Sequence, residues 1–256
     1  MRLADIIRTA LAQNLSNEDG EPLEISLLPG LTPEQVSDFE TKIGFPLSSD
    51  IRELLEFTNG IENGPLVAVD FTSSCDYVGI GERSEFGWMT IGFAADGCGN
   101  HWGYVLSKDS RELGPIYYFC HDPPVFLYQS PNLAHFLNEM FKMCMPPFKS
   151  LVDDVHGDRL KEVWLDNPGL VAVEDARAMG DHILSDFART LPEGWKLIDL
   201  REPEIGAGFS WGRCKEFRRH PDAMIFAMEF KEPGRFSRWL RRLTKRSEQD
   251  ASSNGG

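Results

Sequence analysis

Long apolar runs are absent. No segment approaches the roughly 18 consecutive apolar residues of a membrane-spanning helix, so a spanning protein of that type is excluded. The first residues, MRLADIIRTALAQN, carry Asp5 and further polar side chains where a secretion leader needs an apolar stretch, so export by that route is not expected. Cysteine is scarce: the five, at positions 75, 98, 120, 144 and 214, are odd in number and scattered. That argues against a disulfide framework and for free thiols in a reducing cytoplasm. Basic charge is also short, with 26 Lys and Arg against 40 Asp and Glu, a net of −14. Residues 1–210 hold 34 acidic and 15 basic side chains, whereas residues 211–256 hold 6 and 11. So acidic a body repels nucleic-acid phosphates and anionic lipid, which speaks against both as partners. It attracts a basic partner and speeds its association; simple solubility is the plainer reading of the same charge. Neither the P-loop pattern nor G-x-G-x-x-G occurs in Gly79-Ile-Gly81 or Gly97-Cys-Gly99, so no nucleotide site and no cofactor is expected.

What is present suits a folded chain. Of 256 residues, 41% are apolar and 26% charged, enough to build a core in one large domain or two small ones. Leu3, Ile6, Ile7, Ala10 and Leu11 form one apolar stripe and predict a helix. A short strand is expected in residues 23–28. Thr32-Pro33-Glu34-Gln35 is a capped helix start, for a helix that buries Val36, Phe39 and Ile43 and stops at Gly44. Ser48 or Ser49 caps the next, carrying Ile51, Leu54, Leu55 and Thr58, with Asn59-Gly60 as a left-handed stop. Strands are predicted over residues 66–70, 88–94, 102–107, 115–120 and 125–129, separated by turn chemistry. Ser130-Pro131 opens a helix with the stripe Leu133, Phe136, Leu137, Met140, Phe141 and Cys144. Pro146-Pro147 ends it, and residues 1–145 read as one α+β unit.

A second, smaller α/β unit is expected over residues 150–246, with helices at 151–164 and 173–191, the latter on the stripe Ala172, Ala176, Met179, Ile183 and Phe187. Strands are expected at 195–200, in a Gly-rich piece at 206–211 and at 223–230; Phe226 and Met228 alternate with Ala along the last of them. A basic amphipathic helix around Phe236, Trp239, Leu240 and Leu243 follows, then a tail at 247–256 expected to be disordered. That helix's basic face suits anionic lipid or nucleic acid, or, more plainly, water and the protein's own acidic body.

Candidate chemistry is thin. Cys98 and His101, with Cys120 and His121, have spacings that two neighbouring strands could gather around a zinc ion, but residues 120 and 121 point to opposite faces of a strand; no metal site is assigned. A Cys98 nucleophile with His101 or His121 as base and Asp96 or Asp122 as orienter is the remaining catalytic reading; glycines at positive φ in a tight turn account for the same residues, and no catalytic residue is assigned. The carboxylates Glu62, Asp70, Asp76, Glu82, Glu85 and Asp96 fall in or beside the loops of residues 60–100, with Asp122 further on. Together they predict a negative surface.

Several segments in order resemble the SUKH superfamily, the SMI/KNR-like proteins. They are Leu31-Thr-Pro-Glu-Gln-Val-Ser-Asp-Phe-Glu40, Ile43-Gly-Phe-Pro-Leu47 leading to Asn59-Gly60, Ile91-Gly-Phe-Ala-Ala-Asp-Gly-Cys-Gly-Asn-His-Trp-Gly-Tyr-Val-Leu106, Pro115 to Asp122, and Leu133 to Phe141. The chain departs from the family in having Phe45-Pro-Leu where Leu-Pro is usual, and in a long insertion before Trp88. The resemblance implies a mixed or antiparallel sheet with helices packed on one side. It implies a non-enzymatic role: bacterial members are mostly immunity proteins that neutralise toxins, and fungal relatives regulate cell-wall synthesis through protein contacts. The expectation is therefore a cytoplasmic binding protein for a basic toxin domain, with Glu62, Asp70, Asp76, Glu82, Glu85 and Asp96 as the anionic face and Tyr77, Trp88 and Trp102 as aromatic anchors. A regulatory scaffold whose C-terminal unit is the effector is the alternative; a cysteine enzyme is the third.

Overall fold

The computed structural model describes residues 2–72, 80–83, 88–106 and 113–230, and for 80–83, 88, 89 and 230 the backbone alone. The stripe Leu3, Ile6, Ile7 and Ala10 forms α1 (Leu3–Leu11) and is buried. In α2 (Pro33–Ile43), Thr32 accepts from the Gln35 N–H while the Gln35 side chain reaches back to Thr32, and Gly44 closes the helix at φ 85°. Ser48 caps α3 (Ser49–Phe57). This helix does not end on a left-handed Asn59-Gly60: Thr58 is extended (φ −158°) and its hydroxyl bonds the carbonyls of Leu28 and Gly60. The chain thereby enters β2 (Gly60–Glu62) directly, beside β1 (Ser26–Leu27).

The large sheet continues through β3 (Ala68–Asp70), β4 (Ile80–Arg83), β5 (Trp88–Ala95), β6 (His101–Leu106), β7 (Ile116–His121) and β8 (Pro124–Ser130). Its order is β1-β2-β3-β5-β6-β7-β8, with β4 also on β5, and these strands pair antiparallel. Helix α4 (Leu133–Lys142) follows; Asn132, not Ser130, is its cap. One face of the sheet packs on α1 to α4 through Phe93, Trp102, Tyr104 and Tyr118 against Ile7, Val36, Leu54 and Phe136.

The chain then runs through α5 (Leu151–Asp154), a π-helical turn (Val155–Arg159) and α6 (Leu160–Asp166). After β9 (Val171–Ala172), the helix expected over 173–191 is two short ones, α7 (Val173–Ala176) and α8 (His182–Arg189). The expected stripe is broken accordingly, with Met179 42% and Ile183 47% exposed. The Asp181 carboxylate, which caps α8, is the reason the helix restarts. Then come β10 (Lys196–Asp199), β11 (Gly208–Phe209), β12 (Cys214–Arg219) and β13 (Ile225–Phe230). A second antiparallel sheet has the order β12-β13-β10-β9, whereas β11 pairs with β8 of the large sheet.

The alternation along β13 sets the layering. Phe226 and Met228 pack with Ile198, Leu200 and Phe209 on the second face of the large sheet, against Tyr117, Phe126 and Tyr128. Ile225 and Ala227 face Val173, Leu184 and Phe187 of α7 and α8. The layers are thus helices, large sheet, small sheet, helices. No helix among the described residues is long and apolar enough to cross a membrane. The predicted C-terminal helix and tail lie outside the described residues.

Candidate functional site

Antiparallel order puts three hairpin turns at one end of the large sheet: residues 63–67 after β2, 96–100 after β5 and 122–123 after β7. Asp96 organises this end. Its Oδ1 accepts from the Cys98 and Asn100 backbone N–H groups at 2.8 and 3.2 Å, a local turn closed by an Asx side chain. Its Oδ2 accepts from Asn100 Nδ2 at 2.7 Å, Tyr118 Oη at 3.2 Å and His156 Nε2 at 3.2 Å. Gly97 and Gly99 sit at φ 80° and 87°, the left-handed conformation this turn needs. The Asp96 side chain is only 7% exposed. Burial pushes its carboxyl up, but the bonds from Asn100, Cys98 and His156 outweigh that and hold it below the ordinary value.

Two more groups lock the end. Asn100 Oδ1 accepts from both the backbone N–H and Nδ1 of His121, at 2.9 and 2.8 Å. His156 comes from the π-helical turn and lies against the rings of Trp102 and Tyr118, centroids 5.9 and 5.3 Å away. Burial, then the neighbouring Cys120 and Asp96, push the Tyr118 hydroxyl up, so it stays a donor. Above this network the surface is exposed: Glu62, Val67 (69% exposed), Cys98, His121, Asp122 and the outer part of His156.

Among the described residues, those expected to form one anionic face are not brought together. Asp70 is buried, accepting from Asn59 Nδ2, the Thr72 N–H and the Thr72 hydroxyl. Trp102 is 1% exposed and donates its indole N–H to Gln129 at 2.9 Å; it is a core residue and not a surface anchor. Trp88 opens β5 while Asp96 follows its end, a strand of 8 residues, so roughly 25 Å separates them. Glu82 lies in β4 opposite Met89, towards the Trp88 end. Of the predicted acids, Glu62 is exposed and Asp96 organises the turn end from below. Asp76, Tyr77 and Glu85 lie outside the described residues.

The catalytic reading gains little. His121 is held by Asn100, and His101 stacks on Phe119 at 4.9 Å. Burial pushes the Cys120 thiol up, away from thiolate character. Among the described residues no group of three or more His, Cys, Asp or Glu could hold a metal ion. The partner of Asp96 that sequence reasoning missed is His156, 60 residues on in a helical segment. No local pattern marks it, although Asp96 and Asn100 flanking a Gly-x-Gly turn do announce the rest of the network.

No curated protein and no solved structure gave a match. Residues 30–139 do match a family model, and they span α2, α3, the strands β2 to β8 and most of α4. That model is the SMI1 / KNR4 family (SUKH-1), and it is over residues 30–139 that the chain carries a domain of this type.

Proposed function

We propose that this protein is a non-enzymatic immunity protein, acting in the bacterial cytoplasm by binding a toxin domain and covering its basic surface. The observation that carries the reading is the SUKH-1 domain itself, over residues 30–139. The charge supports it: of the 40 acidic residues, only a few among those described, such as Asp70, Asp96 and Glu139, have buried carboxylates, so the anionic charge lies mostly at the surface. A partner rich in Lys and Arg would be drawn in quickly. The turn end of the large sheet is the proposed docking face. Val67 offers an apolar contact there, Glu62 and Asp122 stand at its margin, and the Asp96 network keeps it rigid. Rigid, preorganised contact lowers the ordering cost of binding. Residues 150–246 are proposed to be a fitted second unit, in which α5 and α6 pack with the helical side and β10 to β13 cover the other face of the large sheet.

Co-expression with a toxin domain encoded beside the gene is the test. Restored growth and a stable purified complex are expected; unrelieved toxicity with no complex would reject the proposal. Charge reversal of the margin by Glu62→Lys with Asp122→Lys should slow association at low salt and flatten its salt dependence.

A further inference from the structure

Among the described residues, the large apolar side chains that stand exposed are Val67, Met179 and Ile183. Val67 belongs to the turn end of the large sheet. Met179 and Ile183 lie four residues apart around the start of α8, in the helical layer beyond the small sheet. The inner face of α8 is well used: Leu184, Phe187 and Ala188 pack with Ile225 and Ala227 of β13. Its outer face carries Ile183 and Asp186, and Asp175 and Met179 are exposed just before it. Residues 174–186 hold four acidic side chains against one basic, Arg177, whose guanidinium is turned onto the Ala188 and Leu191 carbonyls. An apolar pair among carboxylates suits a segment of the opposite kind, apolar along one side and basic beside it.

The chain itself supplies that segment. Phe236, Trp239, Leu240 and Leu243 recur at helical spacing as one stripe. Residues 231–246 hold seven basic side chains and one acidic, a net of +6. Their point of departure also fits. Asp181 is tied to Arg201, just past β10, and Asp199 of β10 pairs with Ile225, so the start of α8 lies at the Ile225 end of β13. From there β13 runs to Phe230, about 17 Å away. Residues 231–234 reach at most about 14 Å and include Pro233-Gly234, a reversing pair. Twelve further residues at a helical rise add about 18 Å. Running back along α8, residues 235–246 are therefore long enough to regain its start.

We infer that residues 235–246 dock on the outer side of α8, their apolar stripe on Met179 and Ile183 and their arginines facing Asp175 and Asp186. The contact covers the exposed apolar pair and sets basic charge against acidic charge. It lies apart from the turn end of the large sheet and does not depend on toxin binding.

Limited trypsin cleavage of the full chain, with the cut sites read by mass spectrometry, tests this. Cleavage tracks the population of the open form, so the sites from Arg235 to Arg246 should be cut slowly in the parent. Met179→Gln with Ile183→Asn removes the apolar contact at exposed positions and adds no cut site. Cleavage within 235–246 should then rise roughly tenfold, the factor given by losing about 1.4 kcal/mol of contact. Trp239→Ser, on the other side of the contact, should do the same, and all three substitutions together should add little, since they break one contact. A carbodiimide applied to the parent should join Lys245 to Glu174 or Asp175. Equal cleavage in the parent and the α8 variant overturns the proposal, whether the segment is open in both or Trp239→Ser alone releases it from another surface. Cross-links of Lys245 only to carboxylates outside 174–186 overturn it too. So does a dimer in sedimentation that the α8 variant dissociates with cleavage unchanged, or protection that arises only on adding phosphatidylglycerol vesicles.

Discussion

The imidazole of His156 donates to the carboxylate of Asp96 at 3.2 Å, tying the π-helical turn to the hairpin between β5 and β6. The carboxylate sits among five donors, and His156 is the one that comes from beyond the matched domain. A π-turn inside a helix re-aims side chains by about one position and is frequent at functional sites. Here it swings one imidazole over Trp102 and Tyr118 and onto Asp96.

Asp96→Asn should destabilise the fold by roughly 2 kcal/mol, since an amide cannot accept from all of these donors and adds two of its own. Urea unfolding at neutral pH checks the size.

The same group sets an acid limb. Its folded carboxyl is held below the ordinary value, so the unfolded chain binds the proton more readily. The stability it contributes is therefore present above the unfolded value, near 4, and is lost as pH falls through the folded value. Unfolding free energy measured from pH 6 downward should fall less steeply in Asp96→Asn than in the parent.

His156→Gln alone should cost less than Asp96→Asn, because the ring is 44% exposed. Combined, the two should be non-additive by roughly 0.5–1.5 kcal/mol, as contacting residues are. A double-mutant cycle with additive costs would deny the coupling.

Phe226 is fully buried between the sheets, with ring centroids 4.9 Å from Phe209 and 6.0 Å from Phe126. Phe226→Ala should cost about 3–5 kcal/mol. Far- and near-ultraviolet circular dichroism should report one coincident transition, because the two sheets share that cluster.

Gly208 allows β11 to lie on β8: a Cβ there would stand 1.9 Å from the Phe126 carbonyl oxygen. Gly208→Ala should force the short strand off the edge and lower stability by roughly 1–3 kcal/mol. A shift in melting temperature reports it, with amide exchange at Phe209 rising.

Much of the fold is legible along the chain. The capping box at Thr32 and Gln35, the Gly44 stop and the stripe of α1 are signals that local chemistry satisfies by itself. The hairpin strands β5 to β8 are bounded by turn residues within a residue or two of their observed ends. Strand β12 is hidden because Lys215, Glu216 and Arg218 are exposed on an edge strand, where charge blunts pairing. The supposed stripe Met179–Ile183 misleads, since periodicity alone does not register that Asp181 restarts the helix. Asp70 and Trp102 look like surface residues in a loop-rich stretch, yet their partners Asn59, Thr72 and Gln129 bring them inside.

The order of amino acids alone determined the capped helices α2 and α3, the hairpin strands β5 to β8, the acid-rich charge and the SUKH-1 segment. Those depend on neighbours a few residues apart and on sums over the chain. Which carboxylates face water, which aromatic rings lie inside and which histidine meets Asp96 was decided only by tertiary structure. Strand register and layer packing bring together groups up to 60 residues apart, and a buried polar group is tolerated only where such distant partners meet it.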